Sequence, residues 1–215
     1  MIGLVPAAGA ATRWNGYPKF MLPMPDGRWL IDRAVDALEK VASSIVVVAR
    51  QVHVEILSDH LEVHHRTPIN FVSERYHDPD LMGAIRAAMP AIRGSHVAMA
   101  MADTVINPET FAQMPGAALT LGTFETSDPS RYGVVFKQMV LDKRPWKAGV
   151  VMRAWGVAAW WPEVTELWEQ EGVTKFERAL NRAIVRFGMR TWPIGEYRDM
   201  ASWADYIRWA REQQP

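Results

Sequence analysis

The amino-acid sequence predicts an α/β protein, a three-layer α/β/α arrangement around a doubly wound, mostly parallel but mixed sheet. Three observations carry this expectation. The run Ile45-Val46-Val47-Val48 is continuous and β-branched, the pattern of a strand buried on both faces. Helix-like segments separate the successive strand-like runs over residues 2–101, as parallel strands require. From residue 119 onward the spacing shortens to that of hairpins, which makes the sheet mixed.

Each element follows in order. Residues 2–5 form a short apolar run that breaks at Pro6 and enters a loop of small residues. Over residues 30–41, Leu30, Ala34 and Leu38, with Ile31 and Val35, recur at helical spacing. The strand at 45–48 is followed by a helix around 54–61, a strand at 69–72, a helix over 81–92 and a strand over 97–101. In the second half, strands are expected at 119–124 and 133–136, with a hairpin through Met139-Val140-Leu141, and at 150–160. Helices follow over 163–170, 175–187 and 203–211. No internal repeat or low-complexity linker interrupts the chain, so residues 1–215 read as one domain, of ordinary size for one.

Composition excludes several classes of function. Hydrophobic residues at 49% supply a sizeable core, and charged residues at 22% are too many for a membrane protein. Lys plus Arg and Asp plus Glu are equal at 24 each, so no global field attracts nucleic acid. An anionic ligand must therefore be held by a few placed cations. With no cysteine, disulfides and thiolate metal sites are impossible. The N-terminal residues lack a basic leader, and no apolar stretch reaches the length of a membrane span, so the expected location is cytoplasmic.

Ala7-Ala8-Gly9-Ala10-Ala11-Thr12-Arg13 follows the first strand at once. Small side chains there let backbone N–H groups approach an oxyanion, and a basic residue at the end adds charge. A tight strand-to-helix turn also wants small residues, so the loop alone leaves both readings open. It lacks the Gly-x-Gly-x-x-Gly spacing of dinucleotide-binding folds. The next segment is Tyr17-Pro18-Lys19-Phe20-Met21-Leu22-Pro23. Together, Ala8 to Arg13 and Pro18 to Pro23 resemble the N-terminal signature of the sugar-1-phosphate nucleotidylyltransferases, which share a glycosyltransferase-A-like fold. The resemblance implies that residues 7–13 wrap a nucleoside triphosphate. It also implies that Arg13 binds the leaving pyrophosphate and that Lys19 sits between the α-phosphate and the acceptor phosphate. Ala8 and Ala11 stand where the family usually has Gly.

Met99-Ala100-Met101-Ala102-Asp103-Thr104 puts a carboxylate at the carboxyl end of a buried strand, where ligands bind in open α/β sheets. Oxygen ligands of this kind suit Mg²⁺. A helix cap is the other reading of Asp103, although Asn107 before Pro108 is the better placed cap. The segment resembles the family's Gly-Asp-Thr motif, and Tyr197 to Tyr206 resembles its late Trp-x-Asp-x-Gly-Thr-x-x-Asp-Tyr motif. The resemblance makes Asp103 and Asp199 the ligands of a Mg²⁺ cofactor. Ser202 is a candidate cap for the last helix, and Asp205 reads as a solvated helix residue.

Pro129-Ser130-Arg131-Tyr132-Gly133-Val134-Val135 resembles the family's segment beside the hexose, with Gly133 lying against the sugar where a side chain would collide. Asp142-Lys143-Arg144-Pro145 sits where the family has Glu-Lys-Pro, implying that Asp142 holds hydroxyls and Lys143 the sugar phosphate, with Arg144 as a competitor. Ser73 and Glu74 fall in the segment that reads the base, but depart from the family pattern and leave the base undetermined.

An acceptor phosphate is already ionised at neutral pH, so alignment and charge neutralisation are all this chemistry asks of the protein. The 6 His residues show no convincing metal spacing; His60 and His64 are four apart in a polar, exposed-looking stretch. The 10 Trp residues suit packing or an oligomer interface, leaving a homo-oligomer open, and Trp155, Trp160 and Trp161 suit the core. The expected function is therefore transfer of a nucleotidyl group from a nucleoside triphosphate to a sugar 1-phosphate. The alternatives are cytidylyl transfer to a phosphorylated alcohol such as phosphocholine or methylerythritol phosphate, and a noncatalytic binding protein of the same fold.

Overall fold

Side-chain alternation along the central strands splits the core into two layers. On β1 (Ile2–Pro6), Leu4 packs into one apolar cluster and Val5 into the other. On β2 (Ser44–Ala49), Val46 and Val48 join the first, and Ile45, Val47 and Ala49 the second. A strand covered on both faces needs apolar residues at every position, which is why β2 reads as one unbroken run. Each such side chain, fully buried, contributes about 1.5–3 kcal/mol before the cost of ordering it. The computed structural model describes residues 1–9, 14–74, 80–147 and 149–213.

α1 (Ile31–Glu39) links β1 to β2, α2 (Gln51–His64) links β2 to β3 (Ile69–Ser73), and α3 (Leu81–Ile92) links β3 to β4 (Val97–Met99). β4, β1, β2 and β3 are mutually parallel neighbours in that order. α1 and α2 cover one face, with Ile31, Val35, Leu38, Leu57 and Leu61 in the second cluster. α3 covers the other with Met82, Ile85 and Met89, joined by α4 (Pro162–Glu171) and α5 (Phe176–Phe187). The three-layer expectation holds.

Among the described residues, β5 (Thr104–Ile106), β6 (Leu119–Thr126), β7 (Val134–Phe136), β8 (Met139–Leu141), β9 (Met152–Trp160), β10 (Arg190–Pro193) and β11 (Tyr197–Asp199) complete the strands. β9 runs antiparallel between β4 and β6, so the sheet is mixed from there. β7 and β8 form the expected hairpin, which joins the sheet through β9. α6 (Trp203–Glu212) packs Trp209 with Trp14, Leu22, Met24, Leu30, Val105 and Met200 in a third, smaller cluster. No described helix is long and apolar enough to cross a membrane.

Several details differ from the sequence reading. The strand expected over 97–101 ends at Met99, because the chain turns at Ala102-Asp103 and starts β5. β5, β10 and β11 escaped the reading: each has only three or four residues, and each pairs with a distant segment rather than a hairpin neighbour. Asn107 caps a turn, its Oδ1 accepting from Glu109 N at 2.8 Å, and no helix follows it. Trp160 is core as expected, but Trp161 is 39% exposed beside His96.

Candidate active site

The site lies beyond the carboxyl ends of β1 and β4. Ala7 continues the pairing of β1, its N–H donating to Val48 O at 2.7 Å, and Arg50 Nε donates to the Ala8 carbonyl at 3.1 Å. Ala7 and Ala8 are buried, while a Cβ at Gly9 would meet nothing within 4 Å. The small-residue loop thus leaves the sheet packed at its root and open at Gly9. Ala10, Ala11, Thr12 and Arg13 lie outside the described residues.

The acidic pair is built by the β5–β11 ribbon. Thr104 pairs with Asp199, and Met200 N donates to the Asp103 carbonyl at 3.2 Å. That register brings the backbones bearing Asp103 and Asp199 side by side, although they are far apart in sequence. Lys19 arrives from a short 3₁₀ turn, Lys19–Met21, entered through Pro18. Its Nζ donates to Asp103 Oδ2 at 2.6 Å, with the two side chains 13% and 30% exposed. Burial raises the Asp199 carboxyl above the ordinary carboxylate range; Asp103 adds to the rise, while Lys19 and Arg131 oppose it. Two carboxylates in one partly desolvated corner, beside a single lysine, are an all-oxygen donor set suited to a hard divalent cation such as Mg²⁺.

A cavity of about 670 Å³ joins these groups to the second half of the chain, a size suited to a nucleotide-scale ligand. It is lined by Gly9, Glu74 and Leu81 from the first half of the chain and by Tyr132, Gly133, Asp142, Lys143, Trp155 and Glu177 from the second. Of the residues expected from sequence, Ala7, Ala8, Gly9, Lys19, Glu74, Asp103, Gly133, Asp142, Lys143 and Asp199 line this one space. Ser73 ends β3 next to Glu74 but is not among the lining residues. Arg144 turns elsewhere and stacks over Trp146 at 4.3 Å.

Gly133 has a structural cause as well as an expected functional one. A Cβ there would lie 2.2 Å from Trp155 Nε1, so the glycine admits the indole edge to the cavity wall. Gly156 does the same for Tyr197, whose ring a Cβ would approach to 2.3 Å. Burial raises the Glu177 carboxyl, and Asp142 adds to the rise, so two carboxyl groups act on one another in the cavity wall. Tyr197, Trp155 and Glu177 were missed in sequence. Nothing in a lone aromatic or an i,i+1 pair marks a cavity wall formed by strands brought together from afar.

Two sequence readings are corrected here. Asp205 is not solvated: Ser202 Oγ donates to its Oδ2 at 2.8 Å, and Arg131 Nη1 and Nη2 approach its oxygens at 3.3 and 3.2 Å. Ser202 is the cap of α6 as expected, its Oγ accepting from Asp205 N at 3.2 Å. His60 is not exposed either. It stacks on Trp29 at 3.8 Å between centroids and bonds Asp32 Oδ2 at 2.8 Å, because the α1–α2 contact folds that stretch inward. Asp36, Glu39 and His65 near it lie within 4.8 Å of one another, the only such His/Asp/Glu trio among the described residues. Their donors are already committed: Arg28 bonds both Asp36 oxygens, and His65 with the N–H groups of Arg66 and Thr67 engages Glu39.

A parallel sheet whose strand ends hold a small-residue loop, a lysine and a carboxylate pair defines an α/β nucleotidyltransferase. The comparisons agree: the chain belongs to the family of the MobA-like NTP transferase domain, which matches residues 3–183. Its fold is similar to that of a provisionally assigned glucose-1-phosphate thymidylyltransferase from Bacillus anthracis, solved with sucrose. The TM-score is 0.80 at 13% identity, over 100% of this chain and 97% of that one. It is also similar to the inositol-1-phosphate CTP transferase of T. maritima, with TM-score 0.74 and 17% identity over 95% and 90% of the two chains. No curated protein matches the chain in sequence.

Proposed function

We propose that this protein transfers a nucleotidyl group from a nucleoside triphosphate to a sugar 1-phosphate and releases pyrophosphate. The observation that carries the reading is the ribbon register that sets Asp199 beside Asp103 while Lys19 bonds Asp103 at 2.6 Å in the same cavity. In the reaction an oxygen of the acceptor phosphate attacks the α-phosphorus, one P–O bond forms, and the bond to the pyrophosphate oxygen breaks with its electron pair leaving on pyrophosphate.

The chain's own groups divide the work. Backbone N–H groups of the loop beyond Ala7, whose own N–H is held by Val48 O, cradle phosphate oxygens. Lys19 neutralises charge where donor and acceptor phosphates meet, and Arg13 does so for the departing pyrophosphate. Asp103 and Asp199 would hold Mg²⁺, which in this chemistry neutralises phosphate charge and templates the in-line approach. Asp142 accepts from acceptor hydroxyls, and Lys143 pairs with the acceptor phosphate. Glu74, which lines the cavity, is the candidate for reading the base.

A second reading changes only the acceptor, to a phosphorylated alcohol with CTP as donor. The likeness to the T. maritima enzyme, at a TM-score of 0.74, supports it. Pyrophosphate release with Mg²⁺ should be measured across the common nucleoside triphosphates, crossed with hexose 1-phosphates, inositol 1-phosphate, phosphocholine and methylerythritol phosphate. Release requiring one triphosphate and one sugar phosphate is expected. Release with CTP and an alcohol phosphate alone would move the reading to the second acceptor class, and nucleotide binding without release from any pair would contradict both.

A further inference from the structure

Arg131 belongs to a segment that sequence assigns to the acceptor, yet its guanidinium faces the acidic pair. Nη2 donates to the backbone carbonyl of Asp199 at 3.1 Å and lies 3.6 Å from Asp199 Oδ2. The same group spans both oxygens of Asp205, at 3.3 and 3.2 Å, and Asp205 is held in turn by Ser202 at the start of α6. The fork is therefore clamped between the last residue of β11 and the first turn of α6, on either side of the bend that follows Asp199. Its Nε is buried without a hydrogen-bond partner, a cost that packing alone does not explain.

We infer that Arg131 is a positioning residue for Asp199: with Asp205 as its anchor, it fixes the backbone and carboxylate of the second proposed metal ligand in register with Asp103. The inference rests on the metal-assisted reading given above. Its physics is that of outer-shell support. A ligating carboxylate loses little freedom on binding only when its neighbours have already oriented it, and a planar fork with several donors does this better than a single ammonium. Arg131 also lies beside Tyr132 and Gly133 in the cavity wall, so the segment that meets the acceptor is the one that steadies the metal ligand.

The test is direct binding of Mn²⁺, used as the probe alone, to the full chain by electron paramagnetic resonance, with thermal unfolding measured in parallel. Wild-type protein should bind Mn²⁺, and Asp103→Asn and Asp199→Asn should weaken it. Arg131→Ala should weaken it by about 10–100-fold, the usual range for removing outer-shell support. Arg131→Lys, which keeps the charge but not the fork, should restore only part of the affinity. Asp205→Asn, which keeps the size and the Ser202 contact, should shift affinity in the same direction and decides the matter if Arg131→Ala does not fold. Wild-type-like Mn²⁺ affinity in a folded Arg131→Ala or Asp205→Asn, or full rescue by lysine, overturns the positioning role while leaving the metal reading intact. If wild-type protein binds no Mn²⁺, or binds it equally well in Asp103→Asn and Asp199→Asn, the metal reading itself fails and the inference falls with it.

Discussion

Between α1 and the end of α2, Asp32 sits fully buried with His65 Nε2 on one oxygen at 2.6 Å and His60 Nε2 on the other at 2.8 Å. Trp29 N donates to it as well, at 2.6 Å. His65 spans Asp32 and Glu39, with a carboxylate oxygen at each ring nitrogen, an arrangement that favours the doubly protonated ring. Burial opposes ionisation of Asp32, yet the bonds from His65, His60 and Trp29 N overcome it and lower its pKa to about 2. At the carboxyl ends of β1 and β4 the same residue types are set differently. There Asp103 and Asp199 sit on adjacent backbones, Lys19 is bonded to Asp103, Arg131 lies 3.6 Å from Asp199 Oδ2, and the Asp199 carboxyl is raised. The first cluster is complete in itself and ties two helices together. The second lines a cavity, and there we propose that a ligand completes it. The contrast teaches that the pairing of charges, more than their number, separates a structural cluster from a site.

The largest expected effect separates the two by activity. Asp103→Asn should lower the rate of pyrophosphate release by about 10³-fold, roughly 4 kcal/mol of transition-state stabilisation, with little change in the unfolding midpoint. Asp32→Ala should do the reverse. Leaving two histidines and a backbone N–H without their acceptor should cost about 3 kcal/mol in urea unfolding, while release per folded molecule stays at the wild-type level. Loss of turnover in folded Asp32→Ala would break the comparison.

Gly133→Ala sharpens it at the acceptor end. A methyl group 2.2 Å from Trp155 Nε1 must displace the indole, at about 1–3 kcal/mol, and should raise the KM for the acceptor more than that for the triphosphate. The smallest effect is on pH dependence. Burial lowers the His65 pKa, but the bonds to Asp32 and Glu39 prevail and hold it above its ordinary 6.5. The folded chain then binds this proton more tightly than the unfolded one, so the stabilisation is full below 6.5 and is lost as pH rises through the raised value. Wild-type stability should accordingly fall across that window by more than in His65→Gln; parallel curves would remove His65 from the account.

Much of the fold was legible because local pattern and burial coincide. The run at Ile45 to Val48 became β2, and the helix read over residues 81–92 matches α3 in both bounds. Lys19, Asp103 and Asp199 were singled out through motif resemblance, and all three line one cavity. What stayed hidden depends on pairing across long stretches of chain. β5 and β11 are three residues each and pair as strands only with one another, so no periodicity announces them. Arg131 and Asp205 meet across 74 residues, and Asp205 therefore read as an ordinary polar residue of a helix face. His60 looked solvated because its acceptor, Asp32, lies on a different helix.

The central claim is that Asp103 and Asp199 act as one unit on one metal. A double-mutant cycle in pyrophosphate release, with Mg²⁺ and the pair of substrates that supports turnover, tests it most directly. Groups that serve a single ion should be strongly non-additive, so Asp103→Asn/Asp199→Asn should be no slower than the slower single variant. Losses that multiply, or an Asp199→Asn variant as fast as wild type, would contradict the claim.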